Sequence, residues 1–186
     1  MQPMANWDYG VCSNIPLLAM LSNVNVGGVA AISGFFLTGA MMNIAILDVP
    51  VMLSVNKNST ALLSHWATLY EYGARLYPSI SVTVGLLYLL AIISNGRLGR
   101  PLGVYLAAVA TTLSMIPFTL IVMMPTNDKL MGARNLAVED NVVVSLGEVD
   151  GLIGRWQMLH LLRCLFPLAG SLIGALGAFQ MSVLLE

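Results

Sequence analysis

The chain has 186 residues, of which 58% are apolar and only 9% charged, against about 25% charged residues in ordinary soluble domains. With a mean hydropathy of +0.82 it has too few polar side chains to coat a water-soluble fold, and it reads as one integral membrane domain over residues 1–186. The formal net charge of −1 excludes the basic surface that nucleic acid needs, and no lysine-rich amphipathic stretch suggests a peripheral anchor.

The opening "MQPMANWDYG" lacks the positive n-region of a cleaved signal peptide, so the first apolar stretch is expected to stay as a span. That stretch covers about residues 27–55 and is interrupted by Asn43, Asp48 and Pro50. Pro50 frees a carbonyl one turn earlier, which leaves local polarity beside the Asp48 carboxylate. Asp48 is read either as a helix-end group at the water interface or as an intramembrane functional acid.

Next comes "STALLSHWATLYEYGARLYP", with helical spacing, running into an apolar segment at 79–94. The two are expected to form one long helix from about residue 60, kinked near Pro78. Glu71 and Arg75 stand four apart, in the favourable order for an intrahelical ion pair. Trp66, Tyr70, Tyr72 and Tyr77 form either an interfacial aromatic belt or the wall of a pocket for a flat aromatic ligand. The polar "NGRLGRP" predicts a tight turn, and Arg97 and Arg100 within it place that turn and both termini on the cytoplasmic side. Lys57, Lys129, Arg134 and Arg155 then lie opposite.

The third span is expected over 101–124, with Pro117 and Pro125 bracketing an apolar segment and Pro125-Thr126-Asn127-Asp128 ending it in a turn. Asn127 can orient a carbonyl or phenol at the membrane surface, or cap the helix that follows. Residues 125–157 form the one long polar connector, rich in acidic groups (Asp128, Glu139, Asp140, Glu148, Asp150). The fourth span runs over about 158–185. Glycine and alanine recur along the first and fourth spans and let helices approach closely in lipid, which leaves a homo-oligomer open. The fold class is all-α, a four-helix membrane bundle.

At the mouth of the fourth span, Trp156, His160 and Arg163 fall at i, i+4 and i+7, on one helix face. An ionisable group inside a span costs roughly 2.5–3.5 kcal/mol or more and marks function by default. Singly, His160 is an ordinary core histidine and Arg163 a snorkelling cation; together with Trp156 they suggest a site. His160 and Cys164 are also four apart, but the chain has only two histidines and two cysteines, too sparse a set for a metal. Dinucleotide, P-loop and c-type haem motifs are absent.

Four segments together, "SGFFLTGAMMNIAILDVPVM", "HWATLYEYGARLYPSI", "PFTLIVMMPTNDKL" and "RWQMLHLLRCLFPLAG", resemble the anthrone oxygenase family, small four-span membrane proteins of fungal polyketide pathways. The resemblance covers roughly residues 30 to 175. It implies oxidation of a lipophilic polyketide anthrone to an anthraquinone, with dioxygen as co-substrate and neither cofactor nor metal. It further implies His160 as base, Arg163 and Asn127 as partners of the developing oxyanion, Trp156 and Trp66 as stacking walls with Tyr70 beside them, and Asp48 or Glu71 orienting the histidine. Asn43 joins the substrate-contacting candidates. The membrane implied is the endoplasmic reticulum or another endomembrane.

Two further readings stay open. In one, Asp48 or Glu71 serves as acid or nucleophile in epoxide opening or cyclisation of a lipophilic polyketide or terpenoid. In the other the bundle is a non-catalytic scaffold, in which His160 and Arg163 make only interhelical bonds and no deep pocket exists.

Overall fold

Asn25 begins the first helix as its cap. Its Oδ1 accepts from the Gly28 N–H at 3.0 Å, and its Nδ2 donates to the Ala178 carbonyl at 3.3 Å, which ties the start of the first helix to the end of the last. The computed structural model of the protein describes residues 25–96 and 102–183. Cys12, the expected turn with Arg97 and Arg100, and hence the basis for membrane orientation, lie outside the described residues.

Four helices make up the described chain: α1 (Val26–Val55), α2 (Ser59–Gly96), α3 (Gly103–Val138) and α4 (Leu146–Val183). Each is long and apolar enough to cross a membrane, and the protein is an integral membrane protein of all-α class. They pack in a ring, with α1 against α2 and α4, and α3 against α2 and α4. The longest interfaces are those of α4 with α3 and with α1, and small residues are used in both. Gly34 leaves room for Ser171, and a Cβ on Gly170 would collide with Thr112 Oγ1 and come within 3.0 Å of the Ala108 carbonyl oxygen. Without a hydrophobic drive in lipid, this backbone approach supplies the packing.

At 1.5 Å per residue, helices of 30 to 38 residues reach about 45–57 Å, well beyond a hydrocarbon core of about 30 Å. Charged residues collect toward one end of the bundle: Asp48 on α1, Glu71 and Arg75 on α2, Asp128 and Lys129 on α3, and Arg155 on α4.

The stretch 125–157 does join the third and fourth spans, but as helix rather than as an extended connector. Met124–Val138 continues α3, α4 begins at Leu146, and only 139–145 is non-helical. The expected turn at Pro125 does not form because a π turn, Thr119–Met123, precedes it. The Met124 N–H returns to the Thr119 carbonyl, so the ladder is reset and Pro125 falls in a first helical turn, where no donor is needed. The first span repeats the device: a π turn at Ile44–Asp48, the Val49 N–H bonded to the Ile44 carbonyl, then Pro50. There the Ala45 carbonyl loses its donor, since Val49 is committed to Ile44 and Pro50 has none. Gln157 of α4 replaces it, with Nε2 2.6 Å from the Ala45 oxygen. π turns of this kind are enriched at functional sites, and both face the same cavity region. α2 runs unbroken through Pro78.

Candidate active site

The spacing of α4 puts Trp156, His160 and Arg163 on one face, and the bundle buries all three, at 3%, 1% and 7% exposure. His160 Nε2 lies 3.0 Å from the Met41 carbonyl oxygen of α1, and its Nδ1 lies 2.9 Å from Arg163 Nη2. A carbonyl only accepts and a guanidinium only donates. Nε2 therefore carries the hydrogen, and Nδ1 presents its lone pair to Arg163. The Trp156 ring stacks on the imidazole, centroids 4.9 Å apart at 25°, and Tyr77 meets it edge-on at 6.4 Å.

Arg163 also donates from Nη1 to Thr119 Oγ1 at 3.3 Å, and that hydroxyl donates to the Met115 carbonyl at 2.7 Å. Its Nε has no partner among the described residues. Among the described residues no carboxylate forms an ion pair with it; the ion pair present there, Arg134 with Glu139, lies on the surface. A buried cation without a counter-ion is costly, and it makes the surroundings of Arg163 a site for an anion.

Those surroundings are a cavity of about 160 Å³, walled by α2, α3 and α4 with Ile44 of α1 at its edge. His160, Arg163, Trp156, Asn127, Tyr70 and Tyr77 all line it. Asn127 is 3% exposed, and neither its Nδ2 nor its Oδ1 has a partner among the described residues. It caps no helix. A buried amide with all its hydrogen bonds unmade is expensive, and this one offers both a donor and an acceptor at the cavity wall. The Trp156 indole N–H is likewise unpartnered. Trp66 stands behind the lining, stacked on Tyr70 (5.2 Å, 11°) and edge-on to Trp156 (6.0 Å, 89°), and fixes both walls.

The remaining sequence candidates lie elsewhere. Asp48 takes its bonds from Asn43 Nδ2, 3.4 Å to each carboxylate oxygen, within α1. Neither residue lines the cavity. Glu71 is exposed on α2, as is Arg75, and they form no ion pair; water at the membrane boundary solvates both at little cost. No carboxylate orients His160: the Met41 carbonyl does. The aromatic cluster divides, with Tyr72 at 74% exposure outside and Trp66, Tyr70 and Tyr77 turned inward. Cys164 donates to the His160 carbonyl at 3.1 Å, and His65 pairs with Asn56 at the surface. No three His, Cys, Asp or Glu side chains come together among the described residues.

Sequence reasoning missed Met41, whose contribution is a carbonyl and leaves no trace in side-chain chemistry. It also missed Thr119 and Gln157. The signal for Thr119 was available, since it is the lone hydrogen-bonding side chain in the apolar run MIPFTLIVMM.

An all-helical membrane bundle that closes an aromatic cavity around a histidine and a buried arginine, which has no carboxylate partner among the described residues, has the form of an intramembrane enzyme. The profile of anthrone oxygenases matches residues 66–173, which contain every cavity-lining residue except Ile44. The chain belongs to the anthrone oxygenase family. It is 38% identical to a noranthrone monooxygenase of Aspergillus flavus, over 80% of this chain and 71% of that one. It is 40% identical to an anthrone oxygenase of Aspergillus fumigatus, over 78% and 88%, and 37% identical to one of Claviceps purpurea, over 80% and 86%. No solved structure matches it.

Proposed function

We propose that the protein oxidises the central methylene of a lipophilic polyketide anthrone to a ketone, with dioxygen as co-substrate and without a bound metal or organic cofactor. The observation that carries this reading is Arg163, buried, cationic and lacking a carboxylate partner among the described residues. An anthrone is neutral when it dissolves in lipid and becomes a phenolate-like anion when its methylene loses a proton. A preorganised cation in a dry site favours that anion strongly.

In the resting site Arg163 holds the Nδ1 lone pair of His160. A substrate oxygen that draws the guanidinium to itself frees Nδ1 for the methylene proton, while Nε2 keeps its bond to Met41. The unpartnered Asn127 amide takes a second substrate oxygen. The anion passes one electron to dioxygen, giving superoxide and a carbon radical, which combine to form the new C–O bond. The peroxide takes the proton held by His160. Loss of the second methylene hydrogen as a proton breaks the O–O bond, leaving the quinone carbonyl and water. One dioxygen is consumed per quinone, one oxygen atom entering the product and the other leaving as water.

The carboxylate-driven hydrolase or cyclase reading loses its acid, because Asp48 and Glu71 do not reach the cavity. The cavity itself, with unpartnered polar groups on its wall, disfavours a mere scaffold. The relatives named above are fungal proteins, and the membrane we propose is the endoplasmic reticulum or another endomembrane. The test is dioxygen uptake by vesicle-reconstituted, chelator-treated protein supplied with an anthrone. The reading expects one dioxygen consumed per quinone formed and incorporation of label from ¹⁸O₂ into the ketone. Turnover under strict anaerobiosis, or loss of activity on chelation that metal restores, overturns it.

A further inference from the structure

We infer that the cavity opens sideways into the lipid through a window between α2 and α3, and that this window admits the flat substrate and holds the part of it that the enclosed space cannot; the inference rests on the anthrone reading above. α2 packs on Gly103–Leu113 toward one end of α3 and on Met124–Val138 toward the other, but it hardly touches Met115–Met123 between them. The π turn Thr119–Met123 falls in that gap.

The rim of the gap has two faces. Ala74 of α2 and Leu120 and Met124 of α3 all line the cavity, yet all are exposed on the outside of the bundle, Leu120 at 58% and Met124 at 39%. A side chain that belongs both to an inner wall and to the outer surface marks an opening. On α2 the rim is made of Gly73 and Ala74, the smallest residues available, and a Cβ on Gly73 would already press on the Tyr77 ring at 3.1 Å. Pro78 has no N–H to return to the Ala74 carbonyl, so an acceptor for a phenolic hydroxyl stands at the edge.

Volume points the same way. About 160 Å³ is close to the engineered apolar cavity of about 150 Å³ that takes up benzene, so the enclosed part holds about one ring. A three-ring substrate with its reacting ring at Arg163 must extend outward, and the window is the apolar direction. The depth also fits. The rim lies beside exposed Glu71 and Arg75 on α2 and about 12 Å, at 1.5 Å per residue, from Asp128 on α3. That is the boundary of headgroups and acyl chains, where a flat polyphenol collects.

The window is tested with two quinones of different length, one-ring 1,4-benzoquinone and three-ring 9,10-anthraquinone, binding being read as quenching of tryptophan fluorescence in phosphatidylcholine vesicles. Ala74→Phe fills the window from the outside. It should weaken anthraquinone binding by about tenfold or more while changing benzoquinone by less than about threefold, a difference of the size a pocket wall imposes on extra groups. Leu86→Phe, at another lipid-facing position of α2, should alter neither. If Ala74→Phe does not fold, Leu120→Phe makes the same test from α3. Equal loss of both quinones, or unchanged discrimination in a folded variant, overturns the window and leaves the proposed function standing. Failure of the unsubstituted protein to bind either quinone overturns the proposed function and the window with it.

Discussion

The Met41 carbonyl oxygen and His160 Nε2 stand 3.0 Å apart across the α1–α4 interface, and this contact decides which nitrogen of the histidine is basic. With Nε2 committed as donor, Nδ1 is the nitrogen left with a lone pair, and it faces Arg163. In the proposed reaction Nδ1 takes the methylene proton once a substrate oxygen competes for the guanidinium, so base and cation are coupled.

His160→Ala should lower kcat by about 10²–10⁴, the range for loss of a positioned general base. Anthraquinone affinity should change little, because Trp156, Trp66 and Tyr70 still hold the walls. Oxygen uptake together with fluorescence quenching separates the two effects. Retained uptake removes His160 from the role of base.

Arg163→Met should abolish turnover without lowering thermal stability. A well-packed apolar side chain in place of a buried charge is often neutral or stabilising by about 1–4 kcal/mol. Parallel melting and uptake measurements on the detergent-solubilised protein check this. A large loss of stability would show that the guanidinium is chiefly a structural brace between His160 and Thr119.

Asn127→Leu separates function from stability in the same manner. Both amide atoms lack partners, and each unmade buried bond costs about 1–3 kcal/mol, so the apolar variant should melt no lower than the native protein. Its kcat/KM should fall by about 10–100-fold, the effect of losing one or two substrate hydrogen bonds.

Asp48→Asn and Glu71→Gln should each leave oxygen uptake within about twofold of the native value, as surface-type changes away from a site do. A large loss in either would restore a carboxylate to the chemistry.

The fold was legible because lipid imposes few choices. Four apolar runs and glycine-rich faces define a helical bundle, and the i, i+4, i+7 spacing of Trp156, His160 and Arg163 placed three side chains of the cavity together. What escaped the sequence was set by backbone geometry. Two π turns carry the chain through Pro50 and Pro125, which on their face read as interruptions, and the second lets helix continue into a supposed polar connector. The orienting partner of His160 escaped for the same reason: the search among side chains found Asp48 and Glu71, whereas the group in place is a carbonyl. Asn127 was legible as a polar group near the site, but its lack of any partner is a tertiary fact.

The central claim, that a buried arginine and the histidine it shields create a substrate anion before dioxygen reacts, is tested most directly by mixing vesicle-reconstituted protein with an anthrone under strict anaerobiosis and recording the absorption spectrum. The native protein should develop the long-wavelength band of the anthrone anion in proportion to occupied sites, and the band should decay to quinone when dioxygen is admitted. Arg163→Gln and His160→Ala should bind the anthrone without the band. An anion band of full strength in Arg163→Gln, or quinone formation by the native protein at a normal rate with no anion ever accumulating anaerobically, would contradict the account.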